Sequence, residues 1–490
     1  MTRICVSICE ENLNSLTTAC ERASEWADVI ELRLDCLNSL GDLQQVLERV
    51  SRAVILTFRP AEQGGQRELD REARQSFWTT APQTDWCDLE ADLATLEHDW
   101  PRVIISHHDF TGVPNDLTQI YERLAATPAA VIKIAVQAND VVDCLPIFHL
   151  LDRARSERRE MIAIAMGNAG LPTRILGPSR GAFLTYAALQ DEKATAPGQI
   201  TAQKLRTLYH VDKIDRETMI CGLVGLPVMH SVSPHMHNAA FNAAGINGVY
   251  LPLEVRDVKT FVTRMIHPAT REIDWNLRGL SVTAPHKSTV VDCLDWIEPA
   301  AKEMGAVNTI VVDGDTLRGF NTDAAGFLEP LLKLLGSLNG LRVAVIGAGG
   351  AARAAVWALR RQNANVTLFA RDLAKARALG QVFDVSYSPL ASASFAGCDL
   401  VINATPLGSG ALIDQTPATA EQLAGARYVY DLVYNPIETR LLKEAGQAGC
   451  QAVRGLEMLV AQAKIQFELW IGQTPSVSNM YEAASAALDH

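Results

Sequence analysis

Val131-Ile132-Lys133-Ile134-Ala135-Val136 is an apolar run interrupted by one lysine. It reads as a short strand. An ammonium in that setting loses hydration, so its charged form is disfavoured and its pKa is expected to fall. A lysine that is partly neutral near pH 7 attacks a ketone and forms a Schiff base. The competing reading is a strand lysine that snorkels to water. Seven similar runs surround this one, at 4–9, 29–35, 54–59, 86–90, 103–108, 161–166 and 183–186, with helical connections such as 12–27 and 116–126. Eight β/α units in roughly two hundred residues predict a (β/α)₈ TIM barrel. Glu31, Arg33, Asp35, Arg59, Glu90, His108 and Lys133 cluster at the C-terminal ends of these runs. Barrel enzymes build their sites at that face.

A charged helical stretch at 203–218 follows as a connector, and a new strand begins at Met219. The remaining chain is again α/β. Its Leu341-Arg342-Val343-Ala344-Val345-Ile346 strand runs into Gly347-Ala348-Gly349-Gly350-Ala351-Ala352 and then a helix. A glycine turn between strand and helix is the setting for a dinucleotide phosphate. At the end of the next strand, where an acidic residue would bind the ribose of NAD, stands Arg371, with Lys375 one helical turn on. Two cations there suit the 2′-phosphate of NADP.

The formal charge of −12 argues against a general nucleic-acid binder. The 10 cysteines form no CxxC pair; Cys5 and Cys9 read as core residues, and no disulfide framework is expected. No 18-residue apolar run suggests a membrane span. Strand pattern starts almost at the first residue, so the expected location is cytoplasmic, or plastid if a transit segment has been removed. No metal is expected. His107 and His108 face opposite sides of a strand. His230, His235, His237 and His286 fit no common zinc spacing.

Residues 1–205 resemble type I 3-dehydroquinate dehydratase. The resemblance lies in Glu31-Leu32-Arg33-Leu34-Asp35, Thr57-Phe58-Arg59, Ser106-His107-His108-Asp109-Phe110, Lys133-Ile134-Ala135 and Ala196-Pro197-Gly198-Gln199. It implies Lys133 as the Schiff-base lysine and His108 as the proton-transfer residue. Ser7, Glu31, Arg33, Arg59, Arg174, Thr195 and Gln199 would contact the substrate. Gln63 stands where the family usually has glutamate, and Thr195 where a serine is common. The neutral Gln63 would support a charged imidazole less well, so the dehydratase would be slower or shifted in pH.

Residues 219–490 resemble shikimate dehydrogenase. The segments are 225–238, 281–287, 305–309, 319–323, the glycine turn, Asn403-Ala404-Thr405-Pro406, Tyr434-Asn435-Pro436 and 455–462. The resemblance implies Lys287 and Asp323 as the catalytic pair. Ser231, Ser233, Thr283, Asn308, Tyr434 and Gln462 would hold the substrate. Gly347, Ala348, Gly349, Gly350, Ala351, Arg371, Lys375, Asn403 and Gly455 would hold NADP. Ser281 replaces an asparagine found in many relatives, and Ala370-Arg371-Asp372 stands where many have Asn-Arg-Thr.

Together the two resemblances imply a bifunctional shikimate-pathway enzyme. It would turn 3-dehydroquinate into 3-dehydroshikimate and reduce that to shikimate with NADPH. The implied domains are a barrel at 1–205, a connector at 206–218, a substrate domain at 219–325, a Rossmann domain at 326–454 and returning helices at 455–490. Two alternatives stand beside this reading. One is a quinate dehydrogenase in the second half, against which Ser233 speaks. The other is a non-catalytic regulator, against which Lys133, His108, Lys287 and Asp323 speak.

Overall fold

All eight expected barrel strands are present in the computed structural model, which describes residues 3–96, 100 and 102–488. They are β1 (Ile4–Ile8), β2 (Val29–Arg33), β3 (Ala53–Thr57), β4 (Trp86–Glu90), β5 (Val103–Asp109), β6 (Val131–Gln137), β7 (Glu160–Met166) and β8 (Thr185–Ala187). They pair in parallel in the order β7-β6-β5-β4-β3-β2-β1-β8. A bridge from Met161 to Ala182, just ahead of β8, nearly closes the ring.

Side chains alternate along a strand, so residues two apart share a face. Cys5, Val29, Ile55, Trp86, Ile104 and Val131 form an apolar plug at the strand beginnings. Two residues further on, the same face carries Ser7, Glu31, Thr57, Asp88, Ser106 and Lys133, all buried. Two more residues bring Arg33, Arg59, Glu90 and His108. The barrel interior is therefore apolar at its base and polar from mid-height to its C-terminal mouth.

Two expectations are corrected. Cys9 is not a core thiol. It lies just past β1 and is disulfide-bonded to Cys36, just past β2, with 5.4 Å between the Cα atoms. The two strand ends are neighbours in the sheet, a proximity that their 27-residue separation conceals. The connector helix is also shorter than expected. Thr201 caps Ala202–Thr207, and His210 takes a left-handed conformation (φ 48°) that ends the run.

The chain forms two compact units, Met1–His230 with Asn247–Leu277, and Ser231–Ile246 with Arg278–His490. Besides the barrel, the first unit holds the parallel pair β9 (Met219–Gly225) and β10 (Gly248–Glu254). Beyond β10, the Arg256 N–H donates to Asp140 Oδ2 at 2.6 Å and its Nε donates to the Asn139 carbonyl at 2.7 Å. That loop directly follows β6.

The second unit contains β11 (Leu277–Val282), β12 (Trp296–Ile297), β13 (Thr309–Asp313) and β14 (Thr316–Phe320), in the order β11-β13-β14-β12. Its other sheet comprises β15 (Arg342–Ile346), β16 (Asn365–Ala370), β17 (Ser386–Pro389), β18 (Leu400–Asn403), β19 (Tyr428–Asp431) and β20 (Gln451–Val453). These are all parallel, in the order β17-β16-β15-β18-β19-β20, the Rossmann arrangement. Val343 and Val345 pack on one face of β15, Ala344 and Ile346 on the other. The helix Gly455–Ile471 lies against Asp323–Leu335, where a Cβ on Gly326 would come within 2.6 Å of Gln462 Cβ.

The disulfide gives a stability prediction. Cys36→Ser should lower the barrel's unfolding free energy by about 2–4 kcal/mol under oxidising conditions, because it frees a long loop in the unfolded chain. Denaturant titration with and without reductant measures it. An unchanged midpoint in both would mean the bridge contributes nothing.

Candidate active sites

The mouth of the barrel holds the first site. Lys133 does not sit in the apolar environment its sequence neighbours suggest, because they face other packing layers while its own face is polar. Its Nζ donates to Asp88 Oδ2 at 2.8 Å and to the Tyr186 hydroxyl at 3.1 Å, with Glu31 Oε1 at 3.5 Å. The ammonium is also 4.3 Å from the centre of the Tyr186 ring. Glu31 is itself held by Ser7 and by Thr57 Oγ1 at 2.9 Å. Burial raises the Glu31 pKa, but Lys133 and Arg33 outweigh burial and keep it below its usual value.

Three arginines were expected to grip a carboxylate, and their surroundings separate them. Arg33 is paired with Asp35 through Nε at 2.9 Å and Nη2 at 2.8 Å. Arg59 is committed to Asp88 at 2.8 Å, Glu90 at 2.9 Å and Ser106 at 2.7 Å. Arg174 is different. It is 1% exposed, and among the described residues its hydrogen bonds go to the carbonyls of Tyr186 at 3.4 Å and Pro197 at 3.2 Å. Its Nε has no partner among the described residues, and burial pulls its pKa down to about 10. A buried guanidinium without a carboxylate is an anion site in waiting, since an unpaired buried charge is costly.

One cavity is lined by Glu31, Arg33, Arg59, His108, Lys133, Arg174, Thr195 and Gln199, together with Gln63, Phe110 and Tyr186. Of the expected substrate contacts, only Ser7 is absent from this lining; it lies beneath the floor with its hydroxyl on Glu31. Gln199 Oε1 accepts from the Thr195 N–H at 2.8 Å and hydroxyl at 3.2 Å, which folds their loop over one side. His108 is half-buried, and its ring is parallel to Phe110. Burial and then the cations Arg59, Lys133 and Arg33 push its pKa well below the usual 6.5. Gln63 meets this residue through the backbone, its Oε1 accepting from the His108 N–H at 3.0 Å. An imidazole that stays neutral around pH 7 is a competent proton acceptor.

The second site lies wholly in the second unit. Lys287 Nζ is 2.6 Å from Asp323 Oδ2, and Asn308 Nδ2 donates to Asp323 Oδ1 at 2.8 Å. Asp323 begins the helix Asp323–Leu335, where the helix dipole favours its negative charge. A cavity of about 710 Å³ is lined by Thr283, Lys287, Asp323, Gly350, Ala351, Arg353 and Met458 among others. Ser231 and Ser233 are hydrogen-bonded to each other at 3.1 Å. They, Tyr434 and Gln462 are not part of this cavity's lining. Gln462 donates to the Leu459 carbonyl within its own helix. Ser281 donates to Gln466 Oε1 at 2.8 Å, a buried contact between strand and helix.

Beside it, a cleft of about 600 Å³ is lined by Gly347, Ala348, Gly349, Arg371, Lys375 and 404–407. Gly347 has φ 123°, and a Cβ there would meet the Ala404 carbonyl at 2.8 Å. Added Cβ atoms on Gly349 and Gly350 would meet nothing within 4 Å. The protein's own packing does not require those two glycines, so the open space they leave suits an incoming phosphate. The helix Gly350–Arg361 starts here without a side-chain cap, leaving its first N–H groups available. Arg371 is exposed and has no carboxylate partner among the described residues, whereas Lys375 is 3.6 Å from Asp372. These residues fit an NADP-type dinucleotide.

Two expected cofactor contacts have other work. Asn403 is buried and fully engaged: its amide donates to Asp431 at 2.9 Å and Leu407 at 3.2 Å, and its oxygen accepts from Thr405. Gly455 lies against the backbone of 432–433, where a Cβ would come within 2.5 Å of the Val433 carbonyl. Sequence reasoning also passed over Asp88, Tyr186 and Arg353. Asp88 was readable, because it stands two residues before Glu90 on one strand face.

Comparison with known proteins gives three family matches. Type I 3-dehydroquinase matches residues 4–216, the shikimate dehydrogenase substrate binding domain matches 223–310, and the shikimate 5′-dehydrogenase C-terminal domain matches 455–484. The chain is 33% identical to the chloroplastic bifunctional 3-dehydroquinate dehydratase/shikimate dehydrogenase of Arabidopsis thaliana, over 98% of this chain and 83% of that one. It is 30% identical to a shikimate biosynthesis protein of Chlamydia pneumoniae, over 90% of each. A solved shikimate dehydrogenase in complex with NADP+ is 35% identical, with TM-score 0.52, over 56% of this chain and 97% of that one.

The His108 environment predicts a pH response. A reaction that needs the neutral imidazole loses rate as pH falls through the residue's pKa. With that pKa held below 6.5, the acid limb of kcat/KM for dehydration lies below 6.5. Gln63→Glu adds an anion that favours imidazolium, so the limb should move up by about one pH unit. A pH profile of kcat/KM tests this, and coincident profiles would mean Gln63 does not reach the ring electrostatically.

Proposed function

The chain belongs to the bifunctional 3-dehydroquinate dehydratase/shikimate dehydrogenase family, and from that membership we propose how its residues divide the work. The enzyme dehydrates 3-dehydroquinate and reduces the product, 3-dehydroshikimate, to shikimate with NADPH. We assign 1–205 to the dehydratase, 206–218 to the connector, 219–325 to dehydrogenase substrate binding, 326–454 to the cofactor and 455–490 to the returning helices. The self-contained β15–β20 sheet and the packing of Gly455–Ile471 on Asp323–Leu335 support the last two boundaries.

The observation that carries the dehydratase assignment is one cavity lined by Lys133, His108 and Arg174, with the Arg174 guanidinium buried and without a carboxylate partner among the described residues. Arg174 takes the substrate carboxylate and thereby aims the ring ketone at Lys133. Lys133 attacks the carbonyl carbon, water leaves, and an iminium forms. The iminium acidifies the neighbouring C–H, and His108 removes that proton. The enamine then expels the ring hydroxyl with a proton from His108, and hydrolysis frees Lys133. Proton transfer of this kind contributes about 10²–10⁴-fold. Glu31 and Arg33 frame the cavity, Arg59 orders the carboxylates beneath it, and Thr195 and Gln199 close its side. Ser7 acts through Glu31.

In the dehydrogenase, Lys287 gives a proton to the carbonyl oxygen, and Asp323, steadied by Asn308, orients Lys287. NADPH, when bound, supplies the hydride. Thr283 contacts the ring from the cavity wall, and Ser231, Ser233, Tyr434 and Gln462 complete the grip on its hydroxyls and carboxylate. The glycine turn 347–351 receives the pyrophosphate, while Arg371 and Lys375 receive the 2′-phosphate. Asn403 and Gly455 shape the cleft from behind. We place the enzyme in the cytoplasm, or in a plastid where a transit segment is supplied; no helix among the described residues is long and apolar enough to cross a membrane.

A coupled assay tests both assignments. Dehydroquinate should cause NADPH loss in the unmodified protein. Lys133→Ala should abolish that loss while dehydroshikimate is still reduced. Lys287→Ala should abolish reduction and leave dehydration within a few-fold. If Lys133→Ala dehydrates at a normal rate, the lysine assignment is wrong.

Cofactor choice is tested at Arg371. A charge-assisted hydrogen bond to phosphate is worth about 1.5–3 kcal/mol. Arg371→Ala should raise the KM for NADPH by roughly 10- to 150-fold, with little change for NADH or for turnover at saturating NADPH. Equal weakening of both cofactors would remove Arg371 as the 2′-phosphate reader.

A further inference from the structure

Asp88 sits at the centre of β4 and is fully buried. Its Oδ2 accepts from Arg59 Nη2 at 2.8 Å and from Lys133 Nζ at 2.8 Å. Its Oδ1 is buried with no partner among the described residues. The other groups around Lys133 Nζ are less well placed. Tyr186 is neutral and 3.1 Å away, and Glu31 is 3.5 Å away with its oxygens already taken by Ser7 and Thr57.

We propose that Asp88 is a positioning residue of the dehydratase: it holds the Lys133 nitrogen before attack and remains the counterion of the iminium, fixing the plane in which the substrate ring lies. This rests on Lys133 being the Schiff-base lysine. The balance of the step gives the reason. An ammonium and a ketone yield an iminium and one water; two of the three ammonium hydrogens leave with the carbonyl oxygen, and the single positive charge stays on the same nitrogen. A carboxylate that neutralises the ammonium is therefore needed just as much afterwards. The nitrogen's donors, however, fall from three to one. The remaining N–H goes to the nearest anion, Asp88, and Tyr186 and Glu31 lose their claim. Because an iminium is planar, directing its one N–H fixes the substituents on the carbon side, and so presents the C–H to His108 and the carboxylate to Arg174. Asp88 is suited to stay anionic throughout. Burial raises its pKa, but Arg59 and Lys133 outweigh burial and hold it at about 2.

The test uses full-length Asp88→Asn, which keeps the shape and removes the charge. Borohydride is added with 3-dehydroquinate, the adduct is mapped by peptide mass, and dehydration and dehydroshikimate reduction are assayed in parallel. Reduction at the unmodified rate reports an intact dehydrogenase, and an unchanged thermal unfolding transition of the barrel reports that Asp88→Asn has left it folded. The adduct should still map to Lys133, but dehydration kcat should fall about 100-fold, the cost of a misdirected reactant, with KM changing far less. The pH of half-maximal trapping should fall, because the ammonium loses its anion while Glu31, Tyr186, Arg59 and His108 are unaltered. A kcat within about threefold of the unmodified value, with an unmoved trapping profile, overturns the proposal. Should the variant not fold, the structure of the reduced adduct in the unmodified protein decides. Nζ within about 3.2 Å of Asp88 supports the role, and Nζ turned to Glu31 or Tyr186 and beyond about 4 Å from Asp88 overturns it. An adduct on a different lysine would instead defeat the reading of Lys133 itself.

Discussion

The barrel depends on a buried ion cluster. Lys133 and Arg59 meet Glu31, Asp88 and Glu90 inside a ring of strands, and Arg74 of the helix Arg71–Thr80 joins them at Glu90, with every member at most 5% exposed. Charges this deep are costly unless paired and hydrogen-bonded, and removing one partner typically costs about 3–5 kcal/mol. The cluster is balanced within itself. What remains unbalanced is the edge of the cavity, where Arg174 has no carboxylate partner among the described residues. A chain of net charge −12 thus keeps a local site for an anion. Under the assignment proposed above, the substrate's carboxylate supplies the charge that folding left out.

The dehydrogenase is built on different physics. Its Lys287–Asp323 pair is more exposed, with side chains 37% and 18% accessible. Water screens such a pair, so it adds little to folding and, in the catalytic role proposed above, is free to change partners. The cofactor cleft depends on backbone rather than buried charge: a glycine with positive φ, two glycines facing open space and an uncapped helix start. Mutations should therefore act differently in the two halves. In the barrel, altering the polar layer strikes stability and chemistry together; in the dehydrogenase, chemistry can be removed with the fold left standing.

Strand positions were legible because apolar runs of four to seven residues bounded by helical segments have few other readings. That Lys133 and His108 would face one cavity, and Lys287 and Asp323 another, was legible because each stood in a distinctive local pattern. The surroundings of the arginines were not. Arg33, Arg59 and Arg174 look alike in sequence, and only their distances to Asp35, Asp88 and Glu90 separate two committed guanidiniums from the open one. The setting of Lys133 was misread for a related reason: neighbours in the chain occupy the opposite face of a strand, while neighbours in space come from β2, β4 and β8. Cys9 and Cys36 escaped notice because adjacency of strand ends is a property of the closed sheet. Asp88 could have been found, since every second residue from the apolar plug upward lands in the polar layer.

Two active sites on one chain handle successive forms of the same carboxylated ring, and under the assignments above they grip it by opposite means. The barrel uses a guanidinium with almost no water contact, so its affinity for the carboxylate draws on relief of an unpaired charge. The dehydrogenase uses hydroxyls and amides, Ser231, Ser233, Thr283 and Gln462; the two serines are hydrogen-bonded to each other and Gln462 to the Leu459 carbonyl of its own helix. The first kind of grip is strong because its unliganded state is costly. The second gains less from binding but discriminates among hydroxyl patterns, since a missing partner leaves a group unsatisfied. That division suits the chemistry. Dehydration must hold one ring firmly while a covalent bond to Lys133 forms and breaks, whereas reduction must recognise the ring and release it after a single transfer.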